Sequence, residues 1–246
     1  MSKDYVGKGT IYVEEVGSTT GLLPLGNCSG LSLAFNEDKK EQKDYQGAGG
    51  AVVNTVSRID SVVASITALD VLNPENLALA LRGLVNTVAG GAVASEAHTA
   101  QLGAIHPLTQ LPDMSQTVTV TGSGATPTYT QGTDYTLANG GIVVIDGGTI
   151  TAGLAIEVSY TGLASYNVEG INQSGKEYKV YFDGLNEADS GKPVMVTCHR
   201  VKFSPTTALE LISDEFANLQ FTFDVLKDSS IVGVGESQFI KLQTAQ

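Results

Sequence analysis

The sequence of 246 residues predicts a mainly β protein, with two packed β-sheets and one flanking α-helix. Its 28 glycines and its many Thr, Val and Ser residues favour strands and turns over long helices. Several runs alternate apolar and polar side chains, which is the two-residue period of a strand. About seven such strands and one helix lie outside a Thr/Gly-rich central segment, and this set suits a two-layer β fold.

Three strands are predicted before the helix. Residues 10–16 form the first, and residues 23–35 form the second, which is interrupted at Gly26-Asn27. Residues 51–71 form the third, with apolar side chains at both odd and even positions. We therefore expect both faces of this strand to be covered over part of its length.

One helix is predicted at residues 74–85. Asn73 is a typical N-cap residue, Pro74 suits the first helical position and Glu75 lies in the first turn. An apolar stripe at helical spacing should pack on a sheet. The members of this stripe are Leu77, Leu81, Leu84 and Val85.

The central segment, residues 100–162, has its own composition. It is rich in Thr and Gly and contains no Lys or Arg. Short strands are predicted at 117–121, 142–145 and 156–160. We interpret 100–162 as a small inserted β-sandwich, and residues 1–99 and 163–246 as one discontinuous β domain.

The β domain resumes near Tyr166 with clear alternation. Residues 178–182, 194–203 and 219–225 are predicted as strands. In the last of them Phe221, Phe223 and Val225 share one face, and Thr222 and Asp224 lie on the other.

Charge and cysteine content limit the function classes. The formal net charge of −12 disfavours a protein that binds nucleic acid through clustered Lys and Arg. The net charge fits plain solubility or a surface that repels polyanions.

Cys28 and Cys198 lie far apart in the sequence, which favours two reduced thiols, and a single disulfide between them is the alternative. The N-terminal residues lack the apolar region of a signal peptide, and no run of 18 apolar residues exists, so we expect folding in a cytoplasm and no membrane contact.

No catalytic or metal-binding motif is recognisable. His98 and His106 are eight residues apart without a carboxylate cluster, and the adjacent Cys198 and His199 should point to opposite faces of a strand. The acids of the segment DGLNEADSG (Asp183, Glu187 and Asp189) resemble a loose calcium loop. Residue 194 is Val where an EF-hand requires Glu, so we favour a structural turn over a cation site. The expectation is a protein that is not an enzyme and has no metal or cofactor.

The order of features resembles that of the tail tube (major tail) proteins of long-tailed bacteriophages. The resemblance covers about residues 1–95 and 165–246. The stretches that carry it are GKGTIYVEEV, LPLGNCSGLSLAFNEDKKEQKDYQGAGG, NPENLALALRG and DGLNEADSGKPVMVTCHRVKFSPTTALELISDEFANLQFTFDVLKD. The central segment is similar to small β-sandwich modules found in some of these proteins.

The resemblance implies a structural virion protein that assembles into hexameric rings, stacked as a tail tube. Each ring would be a β-barrel of about 24 strands and ~48 Å across, which leaves room for a DNA duplex. The implied partners are the chain itself and the tail terminator, tape measure and tail-tip proteins. DNA would pass through without specific binding. The implied location is the virion tail, assembled in the host bacterial cytoplasm.

The densest charge cluster, at residues 37–44, has seven charged side chains among eight. Residues 36–50, which contain this cluster, are interpreted as a solvated hairpin loop or, given the resemblance, as an inter-subunit clasp that is flexible before assembly and ordered after it. Glycines would let the chain turn back into the next strand. The candidate clasp residues are Glu37, Asp38, Lys39, Lys40, Glu41, Lys43, Asp44, Gly47, Gly49 and Gly50.

The alternative function is a surface-binding module in which the insert recognises carbohydrate or protein. Carbohydrate grooves use exposed aromatic side chains, and the chain has no Trp. Tyr129, Tyr135 and Tyr160 are the candidates in the insert, although such residues more often serve in packing. A third reading, a secreted enzyme, would need a nucleophile–base pair that the sequence does not offer.

Overall fold

A computed structural model describes residues 4–47 and 49–245 of the chain. The chain divides into two compact units. Unit 1 comprises Met1–Leu84 and Val168–Gln246, and unit 2 comprises Val85–Asn167.

The elements follow one another in chain order as strands with one α-helix. The first part of the chain forms β1 (Gly7–Glu15), β2 (Leu23–Pro24), β3 (Cys28–Lys43), β4 (Val52–Ala68) and α1 (Pro74–Leu81). The central part forms β5 (Leu84–Val88), β6 (Gly91–Thr99), β7 (Ile105–Pro107), β8 (Thr119–Gly122), β9 (Tyr135–Ala138), β10 (Gly141–Val144), β11 (Ala155–Gly162) and β12 (Ser165–Glu169). The last part forms β13 (Glu177–Asn186), a short 3₁₀ turn (Glu187–Asp189), β14 (Lys192–Phe203), β15 (Leu219–Leu226) and β16 (Ile240–Thr244).

Unit 1 is built on one antiparallel sheet of eight strands, in the order β2-β1-β13-β14-β15-β4-β3, with β16 also paired to β14. The sequence predicts two sheets here, and the long strand β14 explains the difference. One edge of β14 pairs with β13, while its other edge pairs with β16 at residues 194–198 and with β15 at residues 200–203. Within the described residues the strand order ends at β2 and β3, so the sheet does not close on itself.

The core of unit 1 lies on one face of this sheet. Side chains from five strands and from α1 form a single buried cluster. Phe221 and Phe223 of β15 are fully buried, and the ring of Phe203 lies 5.9 and 4.9 Å from theirs, centroid to centroid. The alternation that predicted β15 is confirmed, because Leu219, Phe221 and Phe223 all face this cluster.

The helix is shorter than predicted. Asn73 caps it as expected, since its side chain accepts a hydrogen bond from the amide of Glu75. The predicted end at residue 85 is wrong, because Arg82 adopts a left-handed conformation (φ 48°) and the amide of Gly83 bonds to the carbonyl of Ala78. The predicted stripe is therefore also wrong, since it included two residues of β5. The buried face consists of Asn76 and Ala80.

Unit 2 contains two three-stranded antiparallel sheets, β7-β10-β9 and β6-β11-β8. Side chains of both sheets share one buried cluster, which includes Val120, Ile142 and Val158. Strands β5 and β12, at which the chain passes between the units, pair as a two-stranded sheet. The unit starts at residue 85 rather than at the predicted 100, because β6 pairs with β11 and so belongs to the same compact body.

Candidate functional site

The predicted clasp segment lies in a long β-hairpin that extends past the rest of the sheet. Strand β15 pairs with β4 only over residues 63–68, whereas β3 and β4 stay paired from Cys28 and Ala68 as far as Lys43 and Val52. From Glu37 opposite Ile59 outward, the two strands pair only with each other among the described residues. We call residues 37–59 the arm. At about 3.4 Å per residue, its β3 strand is about 20 Å long from Glu37 to Lys43.

The structure corrects the prediction of a loop at residues 36–50. Glu37, Asp38, Lys39, Lys40, Glu41 and Lys43 all lie in strand β3. Charged residues are poor strand formers, and this is why the sequence favoured a loop. Two features allow a strand here. The ladder partners on β4 include Val52, Val56 and Ile59, which are strong strand formers. The hairpin is also exposed to solvent, so its charged side chains keep their hydration when the strand forms.

The turn at the tip of the arm spans only residues 44–51. The amide of Asp44 bonds to the carbonyl of Ala51 at 2.7 Å, and the Asp44 carboxylate accepts a hydrogen bond from the amide of Gln46 at 2.8 Å. Gly49 (φ 118°) and Gly50 (φ 56°) take backbone conformations that favour glycine, as expected for the return of the chain. Gly47 precedes Ala48, which lies outside the described residues.

The arm carries balanced charge on a chain that is otherwise acidic. Four cations (Lys39, Lys40, Lys43 and Arg58) are matched by four acids (Glu37, Asp38, Glu41 and Asp44). Lys39 and Glu41, two apart on one face, form an ion pair at 2.9 Å, and Asp38 lies opposite Arg58 in the ladder. Lys40 and Lys43 form no ion pair with any residue that the structure describes.

The arm also exposes apolar side chains that the single chain does not cover. Val53, Val56 and Ile59 are 66%, 50% and 69% exposed, and Tyr45 at the tip is 89% exposed. We expected both faces of this strand to be covered over part of its length; residues 61–68 alternate between half-buried and buried, whereas every residue from 51 to 60 is exposed. A surface that mixes paired charge with uncovered aliphatic side chains is typical of a protein contact site.

The histidines of unit 2 belong to a hydrogen-bonded cluster around Glu96. The Glu96 carboxylate accepts hydrogen bonds from the Tyr160 hydroxyl (2.7 Å), the Thr109 hydroxyl (2.8 Å) and the Thr109 amide (3.0 Å), and it lies 3.1 Å from Nε2 of His98. The His98 ring in turn contacts that of His106 edge-on, with centroids 5.9 Å apart. Sequence reasoning missed Glu96, because Tyr160 and Thr109 are distant in the chain.

The pKa of Glu96 reflects this cluster. Burial alone would raise the pKa, but the hydrogen bonds from Tyr160 and Thr109 and the nearby His98 outweigh it, so the pKa lies below its ordinary value of 4.5. The cluster therefore holds an ionised carboxylate that ties strand β6 to the segment after β7.

Nowhere in residues 4–47 and 49–245 do three His, Cys, Asp or Glu side chains come together as metal ligands.

Both cysteines are free thiols. Cys198 is buried in the core of unit 1, and Cys28 is half-buried and packs against the same core cluster. Burial raises the pKa of Cys198 to about 11, and burial together with the charge of Asp70 raises that of Cys28 to about 11. Near neutral pH both are therefore protonated and poor nucleophiles.

The acids of the segment DGLNEADSG are paired with lysines or lie in the sheet. Glu187 contacts Lys8 at 2.9 Å, and Asp189 contacts Lys192 at 3.0 Å. Asp183 lies in β13 opposite Thr10. This arrangement matches a structural turn after β13, capped by the side chain of Asn186.

Two clefts lie in unit 1. The larger, of about 990 Å³, includes Lys8, Asp189 and Lys192 in its wall, and all three take part in the ion pairs just described. The smaller, of about 460 Å³, includes Lys176 and Glu15, which contact each other at 2.9 Å. These charges already have partners within the chain.

The tyrosines of the insert are packing residues. Tyr129, Tyr135 and Tyr160 are 7%, 3% and 4% exposed. The Tyr135 hydroxyl donates to the carbonyl of Val118, and that of Tyr160 donates to Glu96. None of the three offers a ring face for stacking on a sugar.

The fold and the arm together define a mainly β protein with an exposed two-stranded extension. Residues 4–243 match the family described as "Protein of unknown function UCP028589", and the chain belongs to this family. A comparison with curated proteins gives no match. The helix found in the described residues lacks the length and apolarity that crossing a bilayer requires.

Proposed function

We propose that this protein is a structural subunit of a bacteriophage tail, which polymerises as stacked hexameric rings into the tube that conducts DNA. The arm is the observation that carries the proposal. It buries none of its apolar side chains in the single chain, and two-stranded hairpins are only marginally stable in water by themselves. Contact with another copy would cover Val53, Val56 and Ile59 and hold the arm in place.

The open sheet of unit 1 supports the same proposal. Among the described residues, strand β3 pairs with β4 along one edge and leaves the backbone of its other edge unpaired over 16 residues. Soluble proteins usually protect edges of this length, and a closed barrel removes them. Edge-to-edge pairing of subunits around a ring would satisfy these groups.

The charge of the chain suits a DNA conduit. Residues 85–167 contain five acids and no Lys or Arg, and the whole chain carries −12. Clustered cations in a lumen would bind phosphates through counterion release and slow the DNA.

The further partners that the proposal implies are the tail terminator, tape measure and tail-tip proteins. The location that it implies is the virion tail, after assembly in the host bacterial cytoplasm.

Negative-stain electron microscopy of the purified full chain tests the proposal, combined with sedimentation velocity over a wide range of protein concentration. Rings or hollow tubes that increase with concentration are the expected result. A chain that stays monomeric at the highest concentration, including after addition of tail-tip complexes as initiators, would refute it. Discrete oligomers without a central channel would also count against a tube.

A further inference from the structure

The turn between β9 and β10 in unit 2 contains the only Asn-Gly pair of the sequence, Asn139-Gly140. Strand β9 ends at Ala138 and strand β10 begins at Gly141, and these two residues are ladder partners. Asn139 and Gly140 alone therefore make the turn. Asn139 is exposed, so water and base reach its side-chain amide.

The backbone nitrogen of Gly140 is free to react. Its carbonyl accepts a hydrogen bond from the amide of Leu108 at 3.0 Å, but no group within residues 4–47 and 49–245 accepts one from the Gly140 N–H. The Asn139 side chain also forms no hydrogen bond within the same residues. The space beside Gly140 is open, because a Cβ built there would meet no heavy atom within 4 Å.

We infer that Asn139 is a site of spontaneous deamidation in the folded chain, with water as the co-reactant. The Gly140 nitrogen gives up its proton to base and attacks Cγ of Asn139, and the side-chain nitrogen leaves as ammonia. The new C–N bond closes a succinimide ring. Water then opens the ring, to aspartate at the side-chain carbonyl or to isoaspartate at the backbone carbonyl. The net reaction exchanges ammonia for water and adds one negative charge.

The sequence offers this chemistry at no other asparagine. A side chain on the following residue obstructs the attacking nitrogen, and every Asn except Asn139 precedes a residue that has one. Some of the others are also held in place. Asn76 is buried with its amide donating to two carbonyls, and Asn54 lies in β4 and accepts a hydrogen bond from the amide of Thr55.

Isoaspartate at this turn should loosen unit 2. The isoaspartate linkage adds a methylene to the main chain of a two-residue turn, which displaces the Gly140 carbonyl from the amide of Leu108. Leu108 and Leu137 both pack against the buried cluster of unit 2, so the turn is coupled to the core. The new charge also falls in a unit whose residues 85–167 already carry five acids and no Lys or Arg.

Peptide mapping by mass spectrometry tests the site in the full chain, incubated folded in mildly alkaline buffer. The peptide with Asn139 should gain about 1 Da, and should do so before any peptide with another Asn. The matched control is Gly140→Ala, because the open space beside Gly140 accepts the added methyl group. This variant should deamidate about tenfold more slowly or less, since its Cβ shields the nitrogen.

A second incubation, in urea, shows whether the folded turn itself reacts. Because the turn is exposed and its N–H is unpaired, the folded and the unfolded chains should deamidate Asn139 at similar rates. An Asn139 that stays unmodified in the folded chain while it reacts in urea would overturn the inference. Equal rates in the wild type and in Gly140→Ala would also overturn it.

Calorimetry of aged protein tests the consequence for unit 2. Fully converted chains should melt about 4–8 °C lower in the transition of unit 2, the shift expected when one hydrogen bond is lost from a domain of this size. Asn139→Asp supplies the new charge without the added methylene and should melt close to the unmodified chain. Aged chains rich in isoaspartate that melt like Asn139→Asp would show that the turn is not coupled to the core.

Discussion

At the residue scale, Asn76 shows how a buried polar side chain can hold a helix against the segments that follow two strands of its sheet. Its side-chain amide donates to the carbonyls of Leu25 (2.9 Å) and Asp70 (3.1 Å), and the residue is 3% exposed. Asn76→Ala leaves both carbonyls without this donor, so we expect a loss of about 1–3 kcal/mol in the free energy of unfolding. Urea denaturation measures it. The control is Glu75→Ala, at an exposed position of the same turn, which should lower the free energy of unfolding by only about 0.3–1 kcal/mol. Equal losses for the two variants would contradict the role of the Asn76 hydrogen bonds.

Glu96 should make the stability of unit 2 depend on pH. Because its folded pKa lies below the ordinary value of 4.5, the carboxylate stabilises the fold fully above that value. The contribution is lost as the pH falls through the lowered pKa. Glu96→Gln should therefore lower the melting temperature at pH 7, and the difference from wild type should shrink below pH 4.5. Glu157→Gln, with one long contact to the amide of Gly124 (3.3 Å), is the control and should show a smaller effect. A pH-independent difference for Glu96→Gln would contradict the assignment.

Residues differ in what the sequence reveals about them. The cap at Asn73 was predictable, because its hydrogen bond to the amide of Glu75 is local. The roles of Asn76 and Glu96 were not, because their partners Leu25 and Tyr160 lie 51 and 64 positions away. Only the folded chain brings these groups together.

At the element scale, the strength of the local pattern decides what the sequence predicts. Strand β15 was predicted within one residue of its end, because its alternation is unbroken. The helix end was not, because the left-handed conformation of Arg82 leaves no signal in the residue type. The outer part of β3 was also missed. Its own residues are charged and do not alternate with apolar ones, and the strand-forming residues that pair with it lie on β4, beyond the turn.

The arm should be dispensable for folding and required for assembly. We expect a chain in which residues 38–58 are replaced by Asn-Gly, joining Glu37 to its ladder partner Ile59 through a tight turn, to fold normally. Its free energy of unfolding should change by less than about 1 kcal/mol, because none of the removed side chains that the structure describes is buried. Urea denaturation measures the change in the free energy of unfolding, and electron microscopy shows whether the shortened chain still assembles. Normal tubes from this shortened chain would contradict the role of the arm, and loss of folding would contradict its independence from the core.

At the scale of the whole molecule, composition located the second unit but not its ends. The absence of Lys and Arg and the abundance of Thr and Gly marked the central segment. Strand β6 has the sequence GAVASEAHT, which carries little strand alternation, so no local pattern assigns it to the second unit. Its pairing with β11, more than 50 residues later, is what assigns it to unit 2. In the same way, the joining of unit 1 into one sheet depends on β14 pairing with three other strands, which no local pattern reveals.

The position of these ends predicts which deletion the chain tolerates. Removal of Val85–Asn167, with Leu84 joined to Val168 by a two-residue Asn-Gly turn, takes out one compact unit together with its own core. We expect unit 1 to keep its unfolding transition and its ability to assemble. Removal of residues 100–162 instead leaves β6 without its partner β11 and exposes its edge, so this chain should aggregate or lose its cooperative transition. Calorimetry and electron microscopy of the two chains side by side test this. If the shorter deletion folded and the longer one did not, the division of the chain at residues 85 and 167 would be wrong.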